Sequence, residues 1–487
     1  MPASKSEKMS AVDTAWLRMD RPANLMMICG VLMLGGRLSI ARLRRIVEER
    51  FLIFRRFRDC AVETATGSYW RADSRFDIRA HVASIRLAGD AGDRELQALV
   101  SKLLATPLAR ERPMWQFHLV GNFRGGSAVI VRIHHCYADG IALVRVMLSM
   151  MDAGAAGPPA MPFESRERRA RVTHDDALAQ LIAPLTGVLQ SARRIGGILI
   201  EKGVDIWRDP AQAVTLADQG GALTAEIAKL ALMGEDSPTR FKGSPGVAKQ
   251  VAWADPLPLD DVKTVGHALG ASINDLLLAC VAGALRGYLI EQGDRVGDVT
   301  IRALVPVNLR PLEKAYQLGN RFGLVFLDLP IGIENPIERL YAVRANMSAL
   351  KGSYQPVLAL GLLAAMGAGP KILQETLLTI LARNATAVMT NVPGPQRPLW
   401  LAGARLDGLM FWVPQSGDIG LGVSILSYDG TVRFGVAADR GLCPDPERVS
   451  ARFAGEFETL VLATLMSPWP RDGDLDPALA ARAVGAA

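Results

Sequence analysis

Short apolar runs and helical stripes alternate along the first part of the chain. Residues 30–34 and 128–133 are continuous apolar runs of strand length, whereas residues 40–51, 94–104 and 141–151 repeat apolar positions at the spacing of a helix with one buried face. The pattern breaks at 152–162, where glycine, alanine and proline crowd together as in a linker, and residues 175–235 then read as mostly helical. Beyond them the mixed pattern resumes. Strands are predicted over 299–307 and 324–329, and helices over 336–350, 371–383 and 444–465. Residues 419–428 and 431–437, joined at Asp429-Gly430, give the strongest hairpin signal in the chain. The expectation is therefore α/β. A first lobe spans 1–151, a linker and helical connector 152–245, a second mixed lobe 246–470 and a loose tail 471–487.

Composition narrows the class. At 487 residues with 49% hydrophobic and 21% charged, the chain can bury a sizeable core, so disorder is not its default state. A net charge of +6 favours anionic partners, but no basic stripe interleaved with aromatics is present, which argues against nucleic acid. The five cysteines include no CxxC pair, so neither a zinc site nor a disulfide framework is expected and a reducing, cytoplasmic compartment is. Residues 1–20 carry charges and no continuous apolar core, so no secretory leader is predicted. Residues 352–370 are uncharged but interrupted by Pro356, Gly361, Gly367 and Gly369; they read first as a buried helix and second as an interfacial, lipid-facing one. In 164–171 four arginines and two glutamates crowd together, a solvated face first and a docking patch for anions second.

The chemistry concentrates in His134-His135-Cys136-Tyr137-Ala138-Asp139-Gly140, which follows the apolar run 128–133. A histidine where a buried strand ends can act as a general base near neutral pH, and a carboxylate four residues on can fix the turn. The same residues have a plainer reading: adjacent histidines can be core residues, and Asp139 can cap the following helix. Cys136 is a poor nucleophile candidate, because adjacent side chains diverge and a thiol needs a base aimed at it. Asn391, after the apolar stretch 385–389, is a possible oxyanion donor or a turn residue, and Ser272 or Asn274 could cap the helix that follows them.

Several motifs in order carry a resemblance. They are Met9-Ser10-Ala11-Val12-Asp13 with Trp16-Leu17, then Arg55-Arg56-Phe57-Arg58, Pro113-Met114-Trp115 and the HHxxxDG heptad. Ser272-Ile273-Asn274-Asp275, Val305-Pro306-Val307-Asn308-Leu309-Arg310 and Thr390-Asn391-Val392-Pro393-Gly394-Pro395 complete the set. Together they resemble the bacterial wax ester synthase/acyl-CoA:diacylglycerol acyltransferase family, within the wider HHxxxDG acyltransferases. Cys60 stands where the family usually has an arginine, Met114 where it tends to have leucine, and residues 24–27 where it often has a Met-His pair.

The resemblance implies a two-lobed, chloramphenicol acetyltransferase-like fold with mixed sheets, and transfer of a fatty acyl group from acyl-CoA to a diacylglycerol or fatty alcohol. His135 would be the base, His134 would position the loop, and Asp139 would hold it through an ion pair with Arg58, or failing that Arg310. Gly140, Asn274 and Asp275 would shape the site. No cofactor or metal is implied beyond acyl-CoA as co-substrate, and the enzyme would sit peripherally on the inner membrane or on lipid droplets. The alternatives are a carrier-protein-dependent condensation enzyme and a non-catalytic acyl-CoA or lipid binder.

Overall fold

The computed structural model describes residues 6–158, 160, 233–309, 318–320, 322–351, 353, 355–368, 374 and 383–467. Most of the predicted connector, the arginine-rich run 164–171, Arg310, nearly all of the helix expected over 371–383 and the tail lie outside them.

The first half begins with a short strand (Glu7–Lys8), followed by helix α1 (Ala11–Met19), capped by the Ser10 hydroxyl, which accepts from the Asp13 N–H at 3.0 Å. It continues through β1 (Met27–Leu34), β2 (Val82–Ile85), α2 (Asp93–Leu104), β3 (Trp115–Val120), β4 (Ser127–His134) and α3 (Gly140–Met150). Every residue of β4 is buried, as a strand covered on both faces must be.

The second half carries β5 (Lys249–Trp253), α4 (Ile273–Glu291), β6 (Ile301–Asn308), β7 (Phe322–Leu329), α5 (Pro336–Leu350) and α6 (Gln355–Ala368). It ends with β8 (Ala387–Pro393), β9 (Trp400–Leu401), β10 (Ala404–Trp412), β11 (Leu421–Tyr428), β12 (Thr431–Asp439) and α7 (Pro446–Met466). The predicted hairpin is β11–β12, and its Asp429-Gly430 turn has φ of 45° and 75°, the left-handed pair that a two-residue hairpin loop needs.

Two mixed sheets result. One runs β9-β10-β1-β4-β3-β2, the other β7-β6-β8-β11-β12-β5. The lobe division expected from sequence therefore needs one correction: β9 and β10, within 246–470, belong to the first lobe's sheet, where β10 pairs antiparallel with β1 from Leu406↔Leu34 to Trp412↔Cys29. The reason is edge protection, since without β10 the long apolar β1 would present an open flank.

Helix α4 is long and apolar enough to span a bilayer, yet it forms the second lobe's core with α5, α7 and the inner face of the sheet. Helix α6 takes the first of its two expected roles. It packs on α1 and β7 with Leu358, Leu363 and Met366 buried. Two glycines permit this seat: a Cβ on Gly367 would strike the Ala11 carbonyl, and one on Gly323 the backbone of Pro356.

Candidate active site

The heptad folds as a tight turn from β4 into α3. The His134 N–H donates to the Met114 carbonyl at 2.9 Å and the His135 N–H to the Met26 carbonyl at 2.7 Å, so the turn begins as an extension of the sheet. Tyr137 bolts it from below. Its hydroxyl donates to the Asp59 carbonyl at 2.7 Å and accepts from the Met114 N–H at 3.1 Å, while its ring stacks on Phe57. Asp139 ends the turn as the N-cap of α3, with Oδ1 accepting from the Ala142 N–H at 2.9 Å.

The expected Arg58–Asp139 ion pair is not formed. The Arg58 guanidinium lies over the Phe76 ring, its carbon 5.9 Å from the centroid, and Nε donates to the Leu52 carbonyl at 3.4 Å. Arg58 leaves the short helix Arg55–Arg58 pointing away from the heptad, whereas Arg56 reaches it and donates to the Tyr137 carbonyl at 3.5 Å. Asp139→Ala is expected to cost at least the cap, about 1 kcal/mol, and Asp139→Asn, which can still cap, less than that. Thermal melts of the two variants check this, and equal melting temperatures would contradict it.

The two histidines have different surroundings. His134 Nδ1 accepts from the Cys136 N–H at 3.2 Å and Nε2 lies 3.7 Å from Asp20 Oδ1, beyond hydrogen-bond reach. Burial raises the Asp20 carboxyl. His134, the Met26 N–H and Arg110 outweigh it and hold the carboxyl at about 2. His135 is buried between aromatic rings, stacked on Trp16 with centroids 4.0 Å apart and tilted against Phe322 at 5.5 Å. Burial, with the neighbouring His134, lowers its imidazole to about 3, so the ring is neutral throughout the physiological range. Burial also drives the Cys136 thiol well above its ordinary value, which leaves it without thiolate character.

An apolar cavity opens beside the turn. Gly140 stands in its wall together with Ile133 of β4 and Leu143, Val144 and Met147 of α3; Leu409 and Phe411 of β10 and Val392 and Leu426 of the second lobe close the far side. The lining is apolar almost without interruption, the character of a site for an alkyl chain.

Asn274 and Asn391, far apart in sequence, meet: Asn391 Nδ2 donates to Asn274 Oδ1 at 2.5 Å in the wall of a second, smaller cavity. Successive residues of a strand face opposite ways. Val392 and Leu426 line the large cavity, so their neighbours Asn391 and Ile425 turn to the other face of the sheet, toward α4. That placement sets Asn391 beside Asn274 rather than in the wall of the large cavity. Asp275 closes a capping box with Ser272, accepting from its N–H at 3.0 Å and its hydroxyl at 2.7 Å, so it shapes the start of α4. Among the described residues, no group of three or more His, Cys, Asp or Glu side chains could hold a metal ion.

Sequence reasoning missed Asp20 and Asn320, both against the histidines. Asp20 follows the Trp16-Leu17 segment with no spacing that marks it, and Asn320 meets the heptad only through the fold.

Comparison with known proteins agrees with this geometry. Residues 9–277 match the wax ester synthase/diacylglycerol acyltransferase catalytic domain and residues 318–461 the C-terminal domain of the same family. A Mycobacterium tuberculosis protein named as a diacylglycerol O-acyltransferase is 32% identical over 428 residues, covering 84% of this chain and 80% of that protein. Among solved structures, the wax ester synthase/diacylglycerol acyltransferase from Marinobacter aquaeolei superposes with a TM-score of 0.67 at 20% identity, covering 94% of this chain and 99% of the other. The first condensation domain of the CDA synthetase has the same fold, with a TM-score of 0.57 at 16% identity and coverage of 94% and 96%.

Proposed function

Because the chain belongs to the wax ester synthase/diacylglycerol acyltransferase family, we propose that His135 is the general base with which this acyl-CoA-dependent O-acyltransferase esterifies a diacylglycerol or a long-chain alcohol. The observation that carries the reading is a buried imidazole, held neutral by that burial, on a turn whose far end, Gly140, stands in the wall of an apolar cavity. The acceptor hydroxyl gives its proton to the His135 imidazole as its oxygen bonds to the thioester carbonyl carbon. The tetrahedral intermediate then collapses, the C–S bond breaks, and the CoA sulfur takes the proton back from the imidazolium. No acyl-enzyme forms and no cofactor is consumed. His134 holds the turn rather than the proton, through Cys136 on one side and Asp20 on the other.

Incubating the protein with palmitoyl-CoA and either hexadecanol or dioleoylglycerol, and following free thiol, tests the reading. Release of CoA with one or both acceptors is expected, and none from folded protein would refute it. Burial lowers the base, so its neutral form persists as pH falls. The acid limb of the kcat/KM profile should therefore lie well below 6.5, with a plateau down to about pH 5. A limb at 6.5 would mean that the titrating base is not this buried ring.

Both acceptors are insoluble in water, so the proposal includes a cytoplasmic enzyme in reversible contact with the inner membrane or lipid droplets. Flotation with anionic vesicles checks it, and protein left entirely in the dense fraction would count against it.

A further inference from the structure

The peptide of His135 is gripped from the other half of the chain. Its carbonyl accepts from the Asn320 side-chain amide at 2.9 Å, and the same nitrogen donates to Asp13 Oδ1 at 2.8 Å. The Asn320 backbone N–H adds a 3.3 Å bond to that oxygen, and Arg56 Nη1 lies 3.7 Å from the other carboxylate oxygen. Asp13 and Asn320 are both buried. One residue earlier, the Gly319 carbonyl accepts from the Asp139 N–H at 3.3 Å, with Gly319 at a φ of 117° that favours glycine. Residues 319 and 320 thus hold the heptad near both its ends.

The amide has one permitted orientation. Asp13 Oδ1 and the His135 carbonyl are both acceptors, so a flipped Asn320 would set its own oxygen against them. Its nitrogen must face both, and a carboxylate acceptor makes that bond the stronger kind. The His135 ring needs such help, because Nδ1 is buried and has no hydrogen-bond partner among the described residues. Among the described residues, no carboxylate is hydrogen-bonded to the imidazole. Its orientation comes from the pinned peptide and from Trp16, which stacks on the ring one helical turn after Asp13.

We infer that Asn320 is a positioning residue for His135, supplied by the second half of the chain, and that Asp13 anchors it. The inference rests on the reading of His135 as base.

Asn320→Ala should lower kcat by on the order of 100-fold, the scale of a small misplacement of a catalytic group, with KM for palmitoyl-CoA within about twofold, since uniform binding is untouched. Asp13→Asn keeps the shape and a neutral acceptor, so its kcat should fall in the same direction by about 5- to 10-fold, the weaker bond giving the smaller loss. The decisive measurement adds Asn320→Ala to His135→Ala: a residue acting through His135 lowers the residual rate no further. Unchanged kcat in folded Asn320→Ala, or an equal fall in both backgrounds, would overturn the inference. If Asn320→Ala does not fold, Asp13→Asn carries the test, and unchanged kcat there overturns it as well. An active His135→Ala would instead sink the base assignment itself, so the two failures are distinguishable.

Discussion

His135→Ala is expected to lower kcat/KM for acyl transfer by about 100- to 10,000-fold, the range over which a positioned general base contributes. The fold should survive. The turn is held by the backbone bonds of His134 and His135 and by the Tyr137 hydroxyl, none of which the substitution removes. His134→Ala should cost less in rate, because Asp20 keeps the Met26 N–H and Arg110 when the imidazole is gone. Free-thiol release under saturating acceptor, with melting temperatures measured in parallel, separates loss of base from loss of structure. A His135→Ala protein with a tenth or more of the parent rate would exclude the imidazole as base.

The second large effect concerns the apolar cavity. Val144 stands on α3, half-buried in the cavity wall. Tryptophan there would displace about three methylene groups of a long chain. At about 0.8 kcal/mol per buried methylene this amounts to roughly 2.5 kcal/mol, or about 70-fold in kcat/KM for a palmitoyl chain. An octanoyl chain that does not reach the obstruction should lose little. Varying the length of the acyl donor and of the alcohol separately shows which substrate occupies the cavity, since only that partner's profile shortens. An equal loss at every length of both substrates would mean that Val144→Trp disturbs the site generally and that the cavity does not measure chains.

Much of this was legible in the chain because the signals are local. The β11–β12 hairpin follows from Asp429-Gly430, the buried β4 from its unbroken apolar run, and the cap at α3 from Asp139 preceding a helical stripe. What escaped depends on tertiary placement. Strand β10 alternates buried and less buried positions as many strands do, and nothing in that pattern names β1 as its partner. The face that Asn391 presents is set by parity, because which face of β8 meets the large cavity is decided by α4 filling the other. Arg58 was the mate of Asp139 that the resemblance implied, ahead of Arg310, but Arg58 ends a short helix from which its guanidinium lies over Phe76. Asn320 carried no signal, since its value lies in facing two acceptors that only the fold brings together.

The borrowed strand β10 also bears on how the protein is made. Met410 pairs with Val31 across about 380 residues of intervening chain, and synthesis proceeds at roughly 5 to 20 residues per second. For roughly 20 to 80 s after β1 leaves the ribosome, its apolar flank has no native mate. A nascent chain halted before residue 404 would display that flank to any neighbour able to add a strand, which makes early termination an aggregation hazard and the interval a natural point for chaperone capture.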